Sequence, residues 1–249
     1  MVSKIIKGIR NPTAAVHYLK HRLQYARLRL VNGDPESIAF YKSIQDAKIR
    51  EGEAYSRDQG IGEAQMAFLR RRGLARDDDL LDIGCGDLRG GQYMIDYLRA
   101  GSYTGIDISE EAIAAARENV ESWDDTPTVT LLVNDDLRFA KFDDDTFDWM
   151  FANSVLTHLP ESPIRECFGH LGRVLRADGV ATLSFREPAN TEPAKIRTNT
   201  ISMSNIYEYP FDTLSSWASE YDLTATEDGY DEHPREDMRM LILRPKPGR

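Results

Sequence analysis

Residues 80–91 read LLDIGCGDLRGG, and residues 105–109 read GIDIS. The apolar pair Leu80 and Leu81 reads as the end of a buried strand. Asp82 then leads into a Gly-x-Gly turn at Gly84, Cys85 and Gly86, and a helical stretch begins near Arg89. Glycine permits the sharp bend and lets a ligand approach the main chain closely. The next predicted strand, residues 103–106, ends in Asp107, 25 residues after Asp82. A carboxylate there can accept two hydrogen bonds from a ribose diol. Strand, glycine turn, helix and second strand closed by an acid constrain the chain to a βαβ unit that holds a nucleoside.

The acids around the turn decide between nucleosides. A dinucleotide fingerprint is G-x-G-x-x-G, with a helix N-terminus aimed at pyrophosphate. Here position 88 is Leu88, the following glycines fall later at Gly90 and Gly91, and Asp82 and Asp87 flank the turn. Carboxylates repel a pyrophosphate. They suit a cofactor with an ammonium group and no phosphate, such as S-adenosylmethionine. The pattern resembles the nucleotide motif of the class I S-adenosylmethionine-dependent methyltransferases.

From about residue 61 the hydrophobic pattern alternates between helical and strand periods. Helices are predicted at 63–72, 89–99, 110–120 behind the N-cap Ser109, from Pro163 through Leu175, and at 211–221. Strands are predicted at 80–83, 103–106, 129–133, 148–152, 180–185, 223–226 and 238–243. Asp178-Gly179 reads as the turn into the fifth strand, and residues 188–205 as a long polar stretch without a period. The alternation implies a parallel sheet covered on both faces, and the closing strand pair with no helix between implies an antiparallel hairpin at one edge. The expected fold is α/β: a Rossmann-like doubly wound sheet of seven strands, the last antiparallel, in residues 61–249. A helical N-terminal extension occupies residues 1–60.

Charge sets that extension apart. The chain has 249 residues and a net charge of −10, yet residues 1–33 hold seven Lys or Arg and no acid, so the remainder stands at −17. An acidic body argues against nonspecific nucleic-acid binding, which needs a basic face. Val16, Leu19, Leu23, Ala26 and Leu30 recur at helical spacing, with Lys20, Arg22, Arg27 and Arg29 beside them. This helix is expected to pack on its own domain, or else to lie on an anionic membrane or a partner through residues 1–33. Pro35 to Arg50 reads as a second, polar helix. No apolar run approaches the ~20 residues of a membrane span, and no signal peptide is visible. The two cysteines, Cys85 and Cys167, form no disulfide or zinc framework. A cytoplasmic protein, with the inner membrane face as the alternative site, is the expectation. Oligomeric state is not legible.

The methyltransferase resemblance extends over residues 61–249. NDD at 134–136, FDWMFANSVLTHLP at 147–160 and GRVLRADGVATLSF at 172–185 resemble further segments of that family, and of its stand-alone bacterial and archaeal members in particular. It implies that Asp82 and the main chain of Gly84, Cys85 and Gly86 hold the amino-acid end of S-adenosylmethionine. By the same resemblance Asp107 binds the ribose hydroxyls, Ile108 lies against adenine, and Asp135, or else Asp136, meets the adenine amino group. Asn153 and Ser154 fall just past the fourth strand.

Methyl transfer to an alcohol needs a base near the sulfonium. Histidine titrates near neutrality, and His158 follows the fourth strand. His233, with Arg235 as a partner for an anionic group on the substrate, is a second candidate on the loop between the last strands. No metal constellation is visible, because the acids are dispersed along the chain. The expected acceptor is a hydroxyl of a sugar or glycan intermediate. Alternatives are a small-molecule or lipid O- or N-methyltransferase, an NAD-dependent oxidoreductase, and a non-catalytic nucleoside-binding module.

Overall fold

A computed structural model describes residues 23, 26–31, 38–50, 60–98, 101–123, 128–188, 195–199, 204–229 and 238–248. Near the middle of a seven-stranded sheet lies β1 (Asp79–Ile83). On one side stand β2 (Ser102–Asp107) and β3 (Thr128–Val133), and on the other β4 (Phe147–Ala152) and β5 (Leu175–Arg186). These five run parallel. The sheet is completed by β8 (Leu223–Gly229) and β9 (Met238–Pro245), with β9 inserted antiparallel between β5 and β8. All seven predicted strands belong to this sheet. The strand order reverses beside β1, and the crevice at the carboxyl ends of such a sheet is where open α/β folds receive ligands.

Alternate residues of the strands feed two cores, as both faces of a parallel sheet are covered. On one face Leu80 and Tyr103 pack with Met66, Phe68 and Leu69 of α2 (Ile61–Arg72), Met94 of α3 (Gly91–Tyr97) and Ile113 of α4 (Glu110–Glu121). On the other, Leu81 and Met150 pack with Ile164, Phe168 and Leu171 of α5 (Glu161–Val174) and Trp217 of α6 (Phe211–Ser219). Ser109 caps α4 as expected, its hydroxyl accepting from the Ala112 N–H at 3.0 Å.

Several expectations are corrected. The polar stretch at 188–205 contains most of a separate antiparallel hairpin, β6 (Lys195–Asn199) with β7 (Ser204–Glu208). Its strands are short and polar, so no period 2 stands out. The third helix starts at Gly91 rather than Arg89, and α5 starts at Glu161, ahead of Pro163. Proline is tolerated there because first-turn N–H groups have no helical acceptor. Asp178-Gly179 does not precede β5 but lies within it, where the ladder jumps from Phe147–Leu175 to Trp149–Val180.

The second N-terminal helix is α1 (Ile38–Arg50), and it is not polar throughout: Phe40 and Ile44 are fully buried. It sits on the start of α4, where Arg50 pairs with Glu111 at 3.3 Å and Lys42 lies 3.9 Å from Glu110. Most of the basic stretch at 1–33 lies outside the described residues. Of the apolar stripe expected there, Leu23 and Leu30 are described and are 71% and 88% exposed. Among the described residues no helix is long and apolar enough to cross a membrane.

Candidate functional site

At the carboxyl edge of the sheet a cavity of about 470 Å³ opens over the ends of β1, β2 and β4. The glycine turn forms its floor. Gly84 has φ 74° and Gly86 φ 59°, a left-handed backbone that only glycine adopts without cost. The N–H groups of Gly84 and Cys85 both donate to the Ile106 carbonyl, at 2.7 and 3.1 Å, which folds the turn over β2. Leu88, in the place of a third glycine, also takes a left-handed φ of 72°. Its side chain is buried in the core, which holds the strained backbone in place.

Two carboxyl groups flank this turn, Asp82 buried and Asp107 half-buried at the cavity. Asp107 accepts from the Gly86 N–H at 3.0 Å through one oxygen and from the Ser109 N–H at 2.9 Å through the other. Burial raises its pKa, partly offset by these N–H groups. Asp82 accepts from the Tyr103 hydroxyl at 2.6 Å. Burial pushes its pKa up to about 7; the tyrosine bond opposes this and the Asp107 charge adds to it. Among the described residues Tyr103 is its one side-chain donor, and a buried acid poised at neutrality is suited to a cationic ligand.

This sets a pH dependence. The carboxyl group is neutral below about pH 7 and charged above it. Its pKa is raised in the folded state, so its contribution to stability is present at low pH and is lost as pH rises through 7. Affinity for an ammonium-bearing cofactor moves the other way. It is expected to fall about tenfold per pH unit below 7, and Asp82→Asn is expected to flatten the profile. Calorimetric titration between pH 5.5 and 8 checks this, and a flat wild-type profile would detach Asp82 from the ligand's cation.

The remaining residues expected at the site line the same cavity: Cys85, Ile108, Asp135, Asp136, Asn153, Ser154 and His158. The Cys85 thiol is buried, which raises its pKa well above the ordinary thiol range and makes it an unreactive turn residue. Asp136 spends one oxygen on the Arg138 N–H at 2.8 Å, whereas Asp135 is exposed at the cavity rim. Ser154 has φ 60°, and its N–H donates to the Ser184 hydroxyl at 2.6 Å. The Asn153 Oδ1 is buried with no hydrogen-bond partner. His158 ends a short 3₁₀ turn (Leu156–His158) after β4 and stacks on Tyr41 of α1, ring centroids 5.0 Å apart and planes 24° apart. His233 and Arg235 lie outside the described residues.

The wall built by α1 was not expected from the sequence. Ile38, Tyr41, Gln45 and Ile49 line the cavity, a stripe at spacings of three and four beside the buried Phe40 and Ile44. Gln65 of α2, together with Arg89 and Arg186, was missed as well. Among the described residues no group of three His, Cys, Asp or Glu is placed to hold a metal ion.

Residues 81–181 match a family model described as a methyltransferase domain. A curated relative, sterol 24-C-methyltransferase erg6 of Schizosaccharomyces pombe, is 24% identical over 144 residues, 56% of this chain and 35% of that protein. The chain thus spans about a third of that relative's length. Among solved structures, the 1,6-didemethyltoxoflavin-N1-methyltransferase of Burkholderia thailandensis, with bound 1,6-didemethyltoxoflavin and S-adenosylhomocysteine, is 16% identical. It aligns over 83% of this chain and 89% of that one, with a TM-score of 0.64. The glycopeptide N-methyltransferase MtfA is also 16% identical, over 77% of this chain and 92% of its own, with a TM-score of 0.58. At this identity the structural likeness is one of fold.

Proposed function

We propose that the chain, whose residues 81–181 match a methyltransferase domain, transfers the methyl group of S-adenosylmethionine to a small-molecule or sugar acceptor. The observation that carries this reading is the pair of acids, buried Asp82 and half-buried Asp107, at the two strand ends that flank a glycine turn open to one cavity. Asp82 meets the ammonium group, Asp107 the ribose, and Asp135 at the rim the adenine amino group. When bound, the cofactor supplies a methyl carbon already activated by its sulfonium, so the protein's contribution is mostly orientation. His158 ends the 3₁₀ turn that follows β4, where it takes the proton of an acceptor hydroxyl as the bond from the methyl carbon to sulfur gives way to the bond from that carbon to oxygen.

A hydroxyl of a sugar or glycan intermediate is the acceptor proposed. Tyr41 offers an aromatic face, and Arg186, Glu166 and Thr157 offer polar groups on the same cavity wall. A second reading, a small planar acceptor methylated on nitrogen or oxygen, is favoured by the apolar Ile38, Ile206 and Met238 on that wall.

Thermal-shift measurement with S-adenosylmethionine, S-adenosylhomocysteine and NAD tests the cofactor. Each adenosyl compound at about 100 times its dissociation constant is expected to add about 2.7 kcal/mol of stability, and NAD to add none. Stabilisation by NAD alone would overturn the proposal in favour of an oxidoreductase.

A further inference from the structure

Among the described residues the large apolar side chains that stand exposed are Leu23, Leu30 and Val31, at 71%, 88% and 74%. All three fall within residues 23–31, which are helical at Leu23 and from 26 to 31. Single apolar residues scattered over a surface are normal, but a clustered set at helical spacing marks a contact face. Leu23, Ala26 and Leu30 are three, four and seven apart, which brings them to one side of a helix with Val31 beside them. Ala26 is exposed as well. The opposite side is the one that packs: Leu28 rests against Phe40 and Ile44 of α1. The described part of the apolar stripe therefore faces away from the domain.

Charge decides what can cover this face. Arg27 and Arg29 flank the stripe and are exposed. They belong to residues 1–33, which hold seven Lys or Arg and no acid, ahead of a remainder at −17. A second copy seated on the stripe about a two-fold axis would set these arginines near their own duplicates, with no acid in either stretch to pair them. An anionic lipid surface complements both features at once, its headgroups facing the arginines and its acyl boundary receiving the leucines. We propose that residues 23–31 hold the protein on an anionic membrane surface, with Leu23, Leu30 and Val31 entering the acyl boundary and Arg27 and Arg29 lying among the headgroup phosphates. The acidic body is repelled by the same surface, which confines the contact to the basic helix. The helix that carries Leu28, α1, also lines the cavity with Ile38 and Tyr41, so the docked stretch stands one layer from the site.

Flotation of the full chain with vesicles tests this, using phosphatidylcholine alone and phosphatidylcholine mixed with phosphatidylglycerol. The chain is expected to float with the mixed vesicles and to stay behind with the neutral ones. Leu23→Ser combined with Leu30→Ser is expected to weaken that binding about ten- to a hundredfold, and Arg27→Gln combined with Arg29→Gln about fivefold for each charge removed. Both double variants are expected to keep the wild-type circular-dichroism spectrum and melting temperature, because all four side chains are exposed. A wild-type chain that floats with neither vesicle, or equally with both, would overturn the proposal. Serine variants that bind as tightly as wild type would overturn it too, by reducing the attraction to charge alone. Sedimentation equilibrium without lipid is expected to show no association through the stripe; a dimer that the serine substitutions dissociate would assign this face to a second copy instead.

Discussion

Replacing His158 by alanine is expected to lower methyl transfer to an alcohol acceptor by about 10²–10⁴-fold, the usual contribution of a positioned general base, with cofactor affinity unchanged. The split follows from where the residue stands. His158 is on the turn after β4, its backbone N–H donating to the Val155 carbonyl at 2.9 Å and its ring stacked on Tyr41. Neither contact involves the glycine turn, Asp82 or Asp107, the residues proposed to hold the cofactor. The measurement is S-adenosylhomocysteine release with the best acceptor found by screening sugars and planar heterocycles, alongside calorimetric affinity for the cofactor. A full rate in the variant would remove His158 from proton transfer. A matched loss of affinity would make it a packing residue.

Gly84→Val is expected to abolish measurable cofactor binding while the circular-dichroism spectrum stays that of the wild type. The left-handed φ of 74° is one that a β-branched side chain resists, at a cost on the order of 1–3 kcal/mol. A Cβ there would also lie 2.7 Å from Val155 Cγ2, so the new side chain collides with the segment leading to His158. Gly248→Val is the control: φ is 91°, but no atom lies within 4 Å of its Cβ position, so strain is present without a site. Affinity retained in Gly84→Val would mean that the cofactor does not approach this turn.

The parts of the site held by local signals were legible in the chain. Asp82 and Asp107 stand at the ends of adjacent strands, and a fixed offset between two strand ends survives in one dimension. The same holds for Ser109, which caps the helix next to it. What could not be read depends on contacts distant in sequence. Tyr41 lies on a helix that looked polar, and only the packing of that helix on the start of α4 brings it to His158. Gln65 carries no motif at all; it reaches the cavity because α2 packs against the turn at Gly90. The β6–β7 hairpin was missed because its pairing is not advertised by alternating apolar residues. Leu88 is the reverse case. The usual glycine is absent, yet the chain takes the same left-handed turn, because burial of the leucine side chain compensates for the strain.

The place of β9 has a consequence for how the chain is made. Among the described strands β8 pairs only with β9, and β9 lies between β8 and β5 although it follows both in sequence. A ribosome that has delivered everything up to residue 237 has made a parallel sheet whose β5 edge is bare from Ala181 to Arg186, with β8 still unattached. An unpaired apolar edge is a template for association with other chains. Met240, Leu241, Ile242 and Leu243, at most 2% exposed in the finished sheet, are the residues that seal it. Premature release shortly before them leaves most of the nucleoside site translated and its sheet open, which makes the interval before Met238 the stretch of synthesis where the nascent chain most needs protection.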